Sequence, residues 1–260
     1  MAGLSRNARD FHDLALHLAR DPERPRKVVA FDYRGRGRSG YDSDWKNYNA
    51  RVEATDVVAW LAALGVPRAA FIGTSRGGLI VFMLAAMQPG AIAAAVLNDI
   101  GPVIEGAGLA AIRAFLDRAP KPKNFDEAAR ILKAANGAAF TALGEEDWLR
   151  MAHALNRDEG GRPVADFDPN LLKTLKGMDF SRPLPQFWPQ FLGLARVPVL
   201  AIRGENSALL SRETLGEMAR RHPRIETLTV PGQGHAPLLE TGDLPRRIGR
   251  FLAQADRTAS

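Results

Sequence analysis

The sequence predicts an α/β protein built on a doubly wound, mostly parallel sheet, and three observations support this class. Apolar runs of strand length alternate along the chain with segments of helical periodicity. In most of these runs the apolar residues are continuous, which is typical of strands buried on both faces of a parallel sheet. The chain has 260 residues, 46% of them apolar and 25% charged, which suits one soluble domain or one domain carrying an insertion.

Five strands are predicted in chain order. Four are continuous apolar runs: KVVAFDY (27–33), AAFIGTS (69–75), IAAAVLND (92–99) and VPVLAIRG (197–204). The fifth run, RIETLTVPG (224–232), alternates between apolar and polar residues and suits an edge strand. Between and after these runs, helical spacing of apolar residues predicts helices at 50–64, 76–88, 212–221 and 243–255.

The interval 103–190 interrupts this alternation and is predicted to be a helical cap over the carboxyl edge of the sheet. It contains helix-like segments such as LAAIRAFLDRA (109–119), followed by a stretch rich in proline and aromatic residues. The α/β core would then comprise 1–102 and 191–260. Three aromatic residues of the cap are candidates to shape an apolar substrate pocket, although they fit the core of the cap equally well: Trp148, Phe187 and Trp188.

Composition excludes several classes of site. The chain has no cysteine, which excludes disulfides and thiolate metal sites, and no metal site is predicted. The net charge of +6 comes from scattered arginines that mostly stand beside acids, a pattern that favours a solvated surface over a nucleic-acid interface. No apolar stretch reaches signal or membrane-span length, so we expect a cytoplasmic protein without membrane contact.

Ser75 is the candidate nucleophile. It stands in the pattern Gly73-Thr74-Ser75-Arg76-Gly77, with a predicted strand before it and a predicted helix after it. A strained turn in that context lifts the serine hydroxyl clear of the sheet, and the amide of Arg76 can face a developing oxyanion. The alternative is an ordinary glycine turn in which Ser75 caps the helix.

His235 is the candidate base, because a serine nucleophile needs a partner that takes its proton. It lies in the glycine-rich loop VPGQGHAPLL, after the last predicted strand and before the last helix. Surface or capping roles suffice for His12, His17 and His222. His153, in the interval 103–190, is expected at an exposed helix position, and the alternative is that it reaches a substrate. A structural loop histidine is the alternative for His235.

Taken in order, the segments FDYRGRGRSG, GTSRGG, LNDIGP, RGENSALLS and PGQGHAPLL resemble the α/β-hydrolase superfamily over essentially the whole chain. The resemblance implies an eight-stranded, mostly parallel sheet, a Ser-His-acid triad and acyl chemistry without a cofactor. It also makes AGLSRNARDF the oxyanion loop, with the amide of Leu4 as the second donor. Only Met1 precedes that segment, so the N-terminal strands of the fold are expected to be missing from this sequence.

The triad acid is the open question. Related sequences carry an aspartate where Ala208 stands, and alanine cannot orient an imidazole. Asp99, at the end of the strand after the Ser75 helix, is the first substitute, and Glu205 is the second. Two further readings remain: Asp99 caps a turn, or the chain has no functional acid.

A dinucleotide-binding turn is the competing interpretation of Gly35-Arg36-Gly37-Arg38-Ser39-Gly40, which matches the fingerprint after a predicted strand. The residues that follow, YDSDWKNYN, do not open a helix, which pyrophosphate binding requires. We therefore expect a structural loop and no cofactor.

The function that these residues favour is a cofactor-independent serine hydrolase that cleaves a small ester or related acyl substrate through an acyl-enzyme. The alternative is an impaired or degenerate hydrolase-fold ligand binder that lacks the triad acid. A small molecule is the expected partner. The sequence predicts neither the identity of the substrate nor the oligomeric state.

Overall fold

The computed structural model describes residues 1–118 and 121–257. Two sequence predictions therefore end outside the described residues: the helix at 109–119 by one residue, and the core segment 191–260 by residues 258–260.

The strands of the described residues are β1 Ala69–Thr74, β2 Ile92–Asn98, β3 Asn156–Glu159, β4 Arg162–Ala165, β5 Val199–Gly204 and β6 Ile225–Val230. Four of them form a parallel central sheet in the order β1-β2-β5-β6. β6 is an edge strand, as its alternating pattern predicts, whereas β3 and β4 form a separate antiparallel hairpin that the sequence analysis missed.

Helices connect these strands. Their bounds are α1 His12–Ala19, α2 Ala50–Ala63, α3 Arg76–Met87, α4 Gly106–Arg118, α5 Phe125–Asn136, α6 Glu145–Leu155, α7 Lys173–Lys176, α8 Trp188–Leu192, α9 Arg212–Arg221 and α10 Leu244–Arg257. α2 begins after Asn49, whose side chain accepts from the amide of Val52, and it is followed by Gly65 at a φ of 63°. These local signals explain why the helix predicted at 50–64 matches α2.

Alternate residues of the central strands point into two different hydrophobic cores. On β2, Ala95 and Leu97 belong to the core formed with α2, α3 and α9, whereas Ala94 and Val96 belong to the core formed with α1 and α10. The sheet is therefore covered by helices on both faces, which is why the sequences of β2 and β5 are continuous apolar runs. This is the doubly wound arrangement that the sequence predicts.

Helices α4 to α8 and the hairpin follow β2 and precede β5 in the chain. A third hydrophobic cluster packs α5 against α6, with Trp148 and Met151 at its centre. Leu238, from the loop that follows His235, joins the same cluster. The helical segment is thus packed onto the loop that carries the candidate base.

The prediction of a strand at 27–33 is wrong. In the described structure these residues belong to no strand, and the backbone of 27–31 makes no hydrogen bond with another described residue. Val28 and Val29 are 36% and 43% exposed. An apolar run forms a strand only where a neighbouring strand supplies the partners for its backbone groups, and this segment has no such neighbour.

Met1 lies beside β1 on the side away from β2. Its nitrogen donates to the carbonyl of Ile72 at 2.7 Å, and its carbonyl accepts from the amide of Thr74 at 3.0 Å. The central sheet of the described residues has four strands, whereas the resemblance implies eight.

No helix in the described parts of the chain combines the length and the apolar character needed to cross a membrane.

Candidate active site

Ser75 stands at the turn from β1 into α3. Its φ of 51° and ψ of −112° lie outside the regions that L residues normally adopt. The turn is tight, because a Cβ on Gly73 would lie 2.6 Å from the backbone of Gly77, and a Cβ on Gly77 would lie 2.2 Å from the carbonyl oxygen of Met1. Both glycines are therefore required by close backbone approach, and the strained turn exposes the serine hydroxyl beyond the strand.

The structure brings Ser75, His235 and Asp99 together. The Nε2 atom of His235 lies 2.9 Å from the Oγ atom of Ser75, and its Nδ1 atom lies 2.7 Å from the Oδ2 atom of Asp99. The side chain of Asp99 is fully buried and that of His235 is 15% exposed. A carboxylate at Nδ1 favours the tautomer with the proton on that nitrogen, which leaves the Nε2 lone pair facing the hydroxyl.

Two further donors hold Asp99 in the turn after β2. The amide of Gly204 donates to Oδ1 at 2.8 Å, and the hydroxyl of Ser207 donates to Oδ2 at 2.6 Å. Asp99 itself has a φ of 54°, which aspartate tolerates better than most residues. The buried carboxylate is thus fully hydrogen-bonded. Sequence reasoning missed Ser207, whose one signal is its place directly before Ala208.

Glu205 does not contact His235. Its carboxylate accepts from the amide of Gly232 at 2.8 Å, which ties the end of β5 to the loop before the histidine. Ala208 lies in the wall of the neighbouring cavity. Of the two acids considered from the sequence, Asp99 reaches the imidazole and Glu205 serves the loop backbone.

Polar side chains fix the loop that carries His235. Asn98, the last residue of β2, donates to the carbonyl of Pro237 at 2.9 Å. The buried side chain of Gln233 accepts from the amide of Leu238 at 2.8 Å. These bonds connect the loop to the sheet and to itself on both sides of the histidine, so the imidazole is held in place by the backbone around it.

The two amides predicted to bind an oxyanion, those of Leu4 and Arg76, have no hydrogen-bond partner among the described residues. Leu4 lies in the cavity wall together with Ser75, and Arg76 is the first residue of α3. An amide at a helix N-terminus has no partner within the helix, so Arg76 offers a donor directly beside the hydroxyl.

A cavity of about 560 Å³ adjoins Ser75 and His235. Its walls come from the N-terminal loop, from α4, α5 and α6, and from the loop after His235. Large apolar side chains dominate the helical side of the cavity: Ile112, Phe115, Ile131, Leu132, Phe140 and Met151. A cavity with these dimensions and lining suits a small organic ligand with an apolar portion.

The prediction that Trp148, Phe187 and Trp188 shape this pocket is wrong, because none of them lines the cavity. Trp148 is 1% exposed and packs edge-on against Phe140, with ring centroids 6.1 Å apart. Phe187 and Trp188 pack against a core of the central sheet, and the guanidinium of Arg221 lies 4.2 Å from the Trp188 ring centroid. Their aromatic character indicated burial, but the sequence did not indicate which core receives them.

The charged side chains of the cavity are paired. Three arginines line it, namely Arg6, Arg9 and Arg150. Arg6 donates to Asp10 at 2.8 Å, Arg9 donates to Asp166 at 2.7 Å, and Arg150 lies 3.6 Å from Glu240. Burial raises the pKa of Glu240 above its ordinary value. The arginines are consequently neutralised by neighbouring acids rather than left as a cluster of free positive charge.

The glycine turn at 35–40 is committed to the protein's own backbone. The amide of Gly35 donates to the carbonyl of Gly40, and the amide of Gly37 donates to the carbonyl of Asp166. The amide of Arg38 donates to the Asp32 carboxylate. A phosphate-binding turn needs free amides, and these are occupied. Within 1–118 and 121–257, no group of three or more His, Asp or Glu side chains is arranged to hold a metal ion.

A family model and a solved structure that match this chain both have the α/β-hydrolase fold. The family model described as alpha/beta hydrolase fold matches residues 2–241. A solved structure of an alpha/beta hydrolase from Novosphingobium aromaticivorans superimposes with a TM-score of 0.87 at 38% sequence identity, covering 97% of this chain and 87% of that one.

Two curated relatives carry more specific names. A 3-hydroxybutyrate-oligomer hydrolase from Cupriavidus necator is 32% identical over 247 residues, covering 90% of this chain and 80% of the relative. A 2-(acetamidomethylene)succinate hydrolase from Mesorhizobium japonicum is 26% identical over 209 residues, covering 80% of this chain and 71% of the relative.

Proposed function

The chain belongs to the α/β-hydrolase family and is a hydrolase, and we propose that it cleaves a small ester or related acyl substrate through an acyl-enzyme on Ser75. The observation that carries this proposal is the continuous hydrogen-bonded series from Ser75 through His235 to Asp99. In such a series the imidazole removes the hydroxyl proton while the buried carboxylate stabilises the resulting imidazolium.

In the acylation step, the Oγ atom of Ser75 attacks the carbonyl carbon and its proton passes to Nε2 of His235. The carbonyl oxygen becomes an oxyanion, which the amides of Leu4 and Arg76 receive. His235 then returns the proton to the leaving alcohol as the carbon–oxygen bond breaks. Water then attacks the carbonyl carbon of the acyl-enzyme while His235 takes its proton. The imidazolium returns a proton to Oγ of Ser75 as the acyl–oxygen bond breaks, which releases the acid and restores the serine.

The cavity favours a substrate of low net charge with an apolar portion. Its arginines are paired with acids, and its helical wall is apolar. Short oligoesters fit this description, and the relative from Cupriavidus necator is named for 3-hydroxybutyrate oligomers. We therefore include 3-hydroxybutyrate oligomers among the candidate substrates, ahead of dicarboxylates, whose two charges would need unpaired cations.

The non-catalytic alternative depends on the absence of a triad acid. Asp99 lies 2.7 Å from the imidazole, and relatives over most of the chain are named as hydrolases and esterases. Both observations favour the enzyme over the degenerate binder.

Initial rates of hydrolysis test the proposal. The substrates would be p-nitrophenyl butyrate and a 3-hydroxybutyrate dimer, with Ser75→Ala and His235→Ala as matched variants. We expect turnover by the wild type, a loss of about 10³-fold or more in either variant, and labelling of the wild type but not Ser75→Ala by a fluorophosphonate. Equal rates in wild type and Ser75→Ala would rule out the serine mechanism.

A further inference from the structure

A buried carboxylate bridges two arginines behind the candidate oxyanion hole. Glu53, on α2, lies 2.7 Å from Arg36 through one oxygen and 2.7 Å from Arg76 through the other. The side chains of Glu53 and Arg36 are fully buried, and that of Arg76 is 15% exposed. Three ionised groups therefore share one site beneath the turn that carries Ser75.

Each arginine is connected to one of the two residues whose amides are the proposed oxyanion donors. The Nε atom of Arg36 donates to the carbonyl of Leu4 at 2.8 Å. Arg76 is itself the second donor residue, and its guanidinium also donates to the carbonyl of Tyr48 at 3.1 Å. One carboxylate thus connects the Leu4 loop to the first residue of α3.

The Leu4 loop needs such a connection. Leu4 belongs to no helix or strand, and the peptide group that carries its amide is held by a turn hydrogen bond from the amide of Arg6 to the carbonyl of Gly3 at 3.3 Å rather than by a regular ladder. The stabilisation of an oxyanion depends on donors that are already in position, and a small displacement of a reacting group can cost about a hundredfold in rate. The buried guanidinium of Arg36 holds the next peptide group through the Leu4 carbonyl, so it limits the movement of the loop that carries the Leu4 amide.

The charge of the cluster also favours the oxyanion. Two guanidinium groups and one carboxylate leave a net charge of +1. Desolvation alone would raise the pKa of Glu53, but the charges of Arg76 and Arg36 outweigh it and hold that pKa below its ordinary value. Burial lowers the pKa of Arg36, yet a guanidinium stays protonated in proteins. The site therefore keeps its excess positive charge.

Stability alone is a poor explanation for this cluster. Burying charged groups is costly, and apolar residues of similar volume often stabilise a core as well or better. We propose that Arg36 and Glu53 are positioning residues for the oxyanion hole, holding the Leu4 loop in register with the amide of Arg76. The inference rests on the proposed function, because it assigns a role within the same reaction.

The test compares Arg36→Met and Glu53→Gln with Arg34→Met. Arg34 is a matched control, since it lies in the same turn and pairs with Asp56 on the same helix at 2.6 Å without touching Leu4 or Arg76. For each variant, kcat and KM for p-nitrophenyl butyrate are measured beside the thermal midpoint. The inhibition constant of an alkylboronic acid is also measured, because its tetrahedral serine adduct imitates the oxyanion.

We expect Arg36→Met and Glu53→Gln to lower kcat by about tenfold to a hundredfold with KM little changed. In Glu53→Gln the lost positioning of the two arginines outweighs the added positive charge. The boronic acid should lose affinity by a similar factor in both. Arg34→Met should keep kcat and the inhibition constant near the wild-type values, whatever its effect on the thermal midpoint. Where Arg36→Met does not fold, Arg36→Lys replaces it, since one ammonium cannot span Leu4 and Glu53 with the geometry of the guanidinium.

A wild-type kcat and inhibition constant in Glu53→Gln and in the folded Arg36 variant, with only the midpoint lowered, would show that the cluster is purely structural and overturn the inference. The proposed function would survive that result, because it depends on the difference between wild type and Ser75→Ala. If instead the wild type shows no Ser75-dependent turnover, the proposed function fails and the inference fails with it.

Discussion

Asp99 and Ala208 follow the ends of two neighbouring parallel strands, β2 and β5. The two strands pair with Asn98 opposite Ile202, so the turns after them lie side by side. Asp99 reaches across this gap, since its carboxylate accepts from the amide of Gly204 at the end of β5 and from Ser207. A carboxylate moved to the adjacent strand can therefore serve the same imidazole.

The first prediction concerns these two positions. We expect Asp99→Asn to lower kcat/KM by about 10³-fold to 10⁴-fold, because an amide no longer holds the imidazole in the productive tautomer. Ala208→Asp should change kcat/KM by less than about threefold, because Asp99 already occupies the hydrogen-bonding position on Nδ1. The measurement is kcat/KM for ester hydrolysis by both variants. A gain of about a hundredfold in Ala208→Asp would assign the triad acid to position 208 instead of Asp99.

The second prediction concerns Ser207. Its hydroxyl donates to Asp99 at 2.6 Å and accepts from the amides of Leu209 and Leu210 at 3.2 Å and 3.1 Å. Ser207→Ala should therefore reduce the free energy of unfolding by about 1.5 to 3 kcal/mol, the typical contribution of a hydrogen bond to a charged group. Urea denaturation measures this change. A variant as stable as the wild type would mean that water replaces the hydroxyl without loss.

At the scale of elements, α4 and α5 separate the cavity beside Ser75 from a shallow depression that is open to the surface. Phe115, Ile131 and Ala135 line both the cavity and this depression. These side chains therefore form the wall at which an extended acyl chain would stop.

The third prediction follows from this wall. Phe115→Ala should open the cavity beside Ser75 toward this depression and raise activity on longer acyl chains relative to butyrate, by up to about fourfold for each additional buried methylene. Phe125→Ala is the matched control, since Phe125 lies on α5 and stacks on His153 without lining the cavity or the depression. The measurement is kcat/KM across p-nitrophenyl esters of increasing length. The same length profile in all three proteins would show that Phe115 is not the limit.

The comparison of sequence with structure also belongs at this scale. The runs that became β1, β2 and β5 were predictable from the continuous apolar pattern of parallel strands, and the run that became β6 from the alternation of an edge strand. The run at 27–33 shows the same pattern, but its state depends on a partner strand that no local pattern reports. Periodicity therefore identifies strand-forming segments and cannot establish that a neighbour is present.

In the candidate site, too, local sequence patterns identified some residues, whereas others depend on tertiary packing. Ser75 and His235 carry local signals, a strained glycine turn and a glycine-rich loop, so short segments sufficed to identify them. The choice between Asp99 and Glu205 stayed open because Asp99 and His235 are 136 positions apart, and only the packing of the strands decides which acid arrives. The Arg36–Glu53 pair was missed because a charged residue inside a helix normally indicates a solvated face.

At the scale of the whole molecule, two cores share one sheet. Residues of β2 and β5 alternate between them, so the helices on either face are stabilised through the same strands. His222 lies at the end of α9, 3% exposed, and packs against Phe191 of α8. The sequence predicted a surface or capping role for His222. The surface role is wrong, because α8 covers the imidazole ring.

The hydrogen bonds of His222 require the neutral ring. Its Nδ1 atom accepts from the amide of Arg224 at 3.1 Å, and its Nε2 atom lies 3.0 Å from the carbonyl of Leu194. The first contact needs a lone pair and the second needs a proton, so the ring is the Nε2–H tautomer. Burial lowers the pKa of His222 below its ordinary value of 6.5, because desolvation disfavours the charged ring.

The fourth prediction is a pH dependence of global stability. Below about pH 6.5 the unfolded chain takes up a proton at position 222 while the native ring stays neutral, so the unfolded state binds more protons and stability falls as the pH decreases. His222→Asn cannot titrate, yet its side chain can still accept from the amide of Arg224 in an Asx turn. Between about pH 7.5 and pH 5.5, the free energy of unfolding should fall more steeply in the wild type than in His222→Asn. His12→Asn, at an exposed position of α1, should follow the wild-type curve. Parallel curves for the wild type and His222→Asn would show that the buried ring takes up its proton without cost, and the assignment of the neutral tautomer would then be wrong.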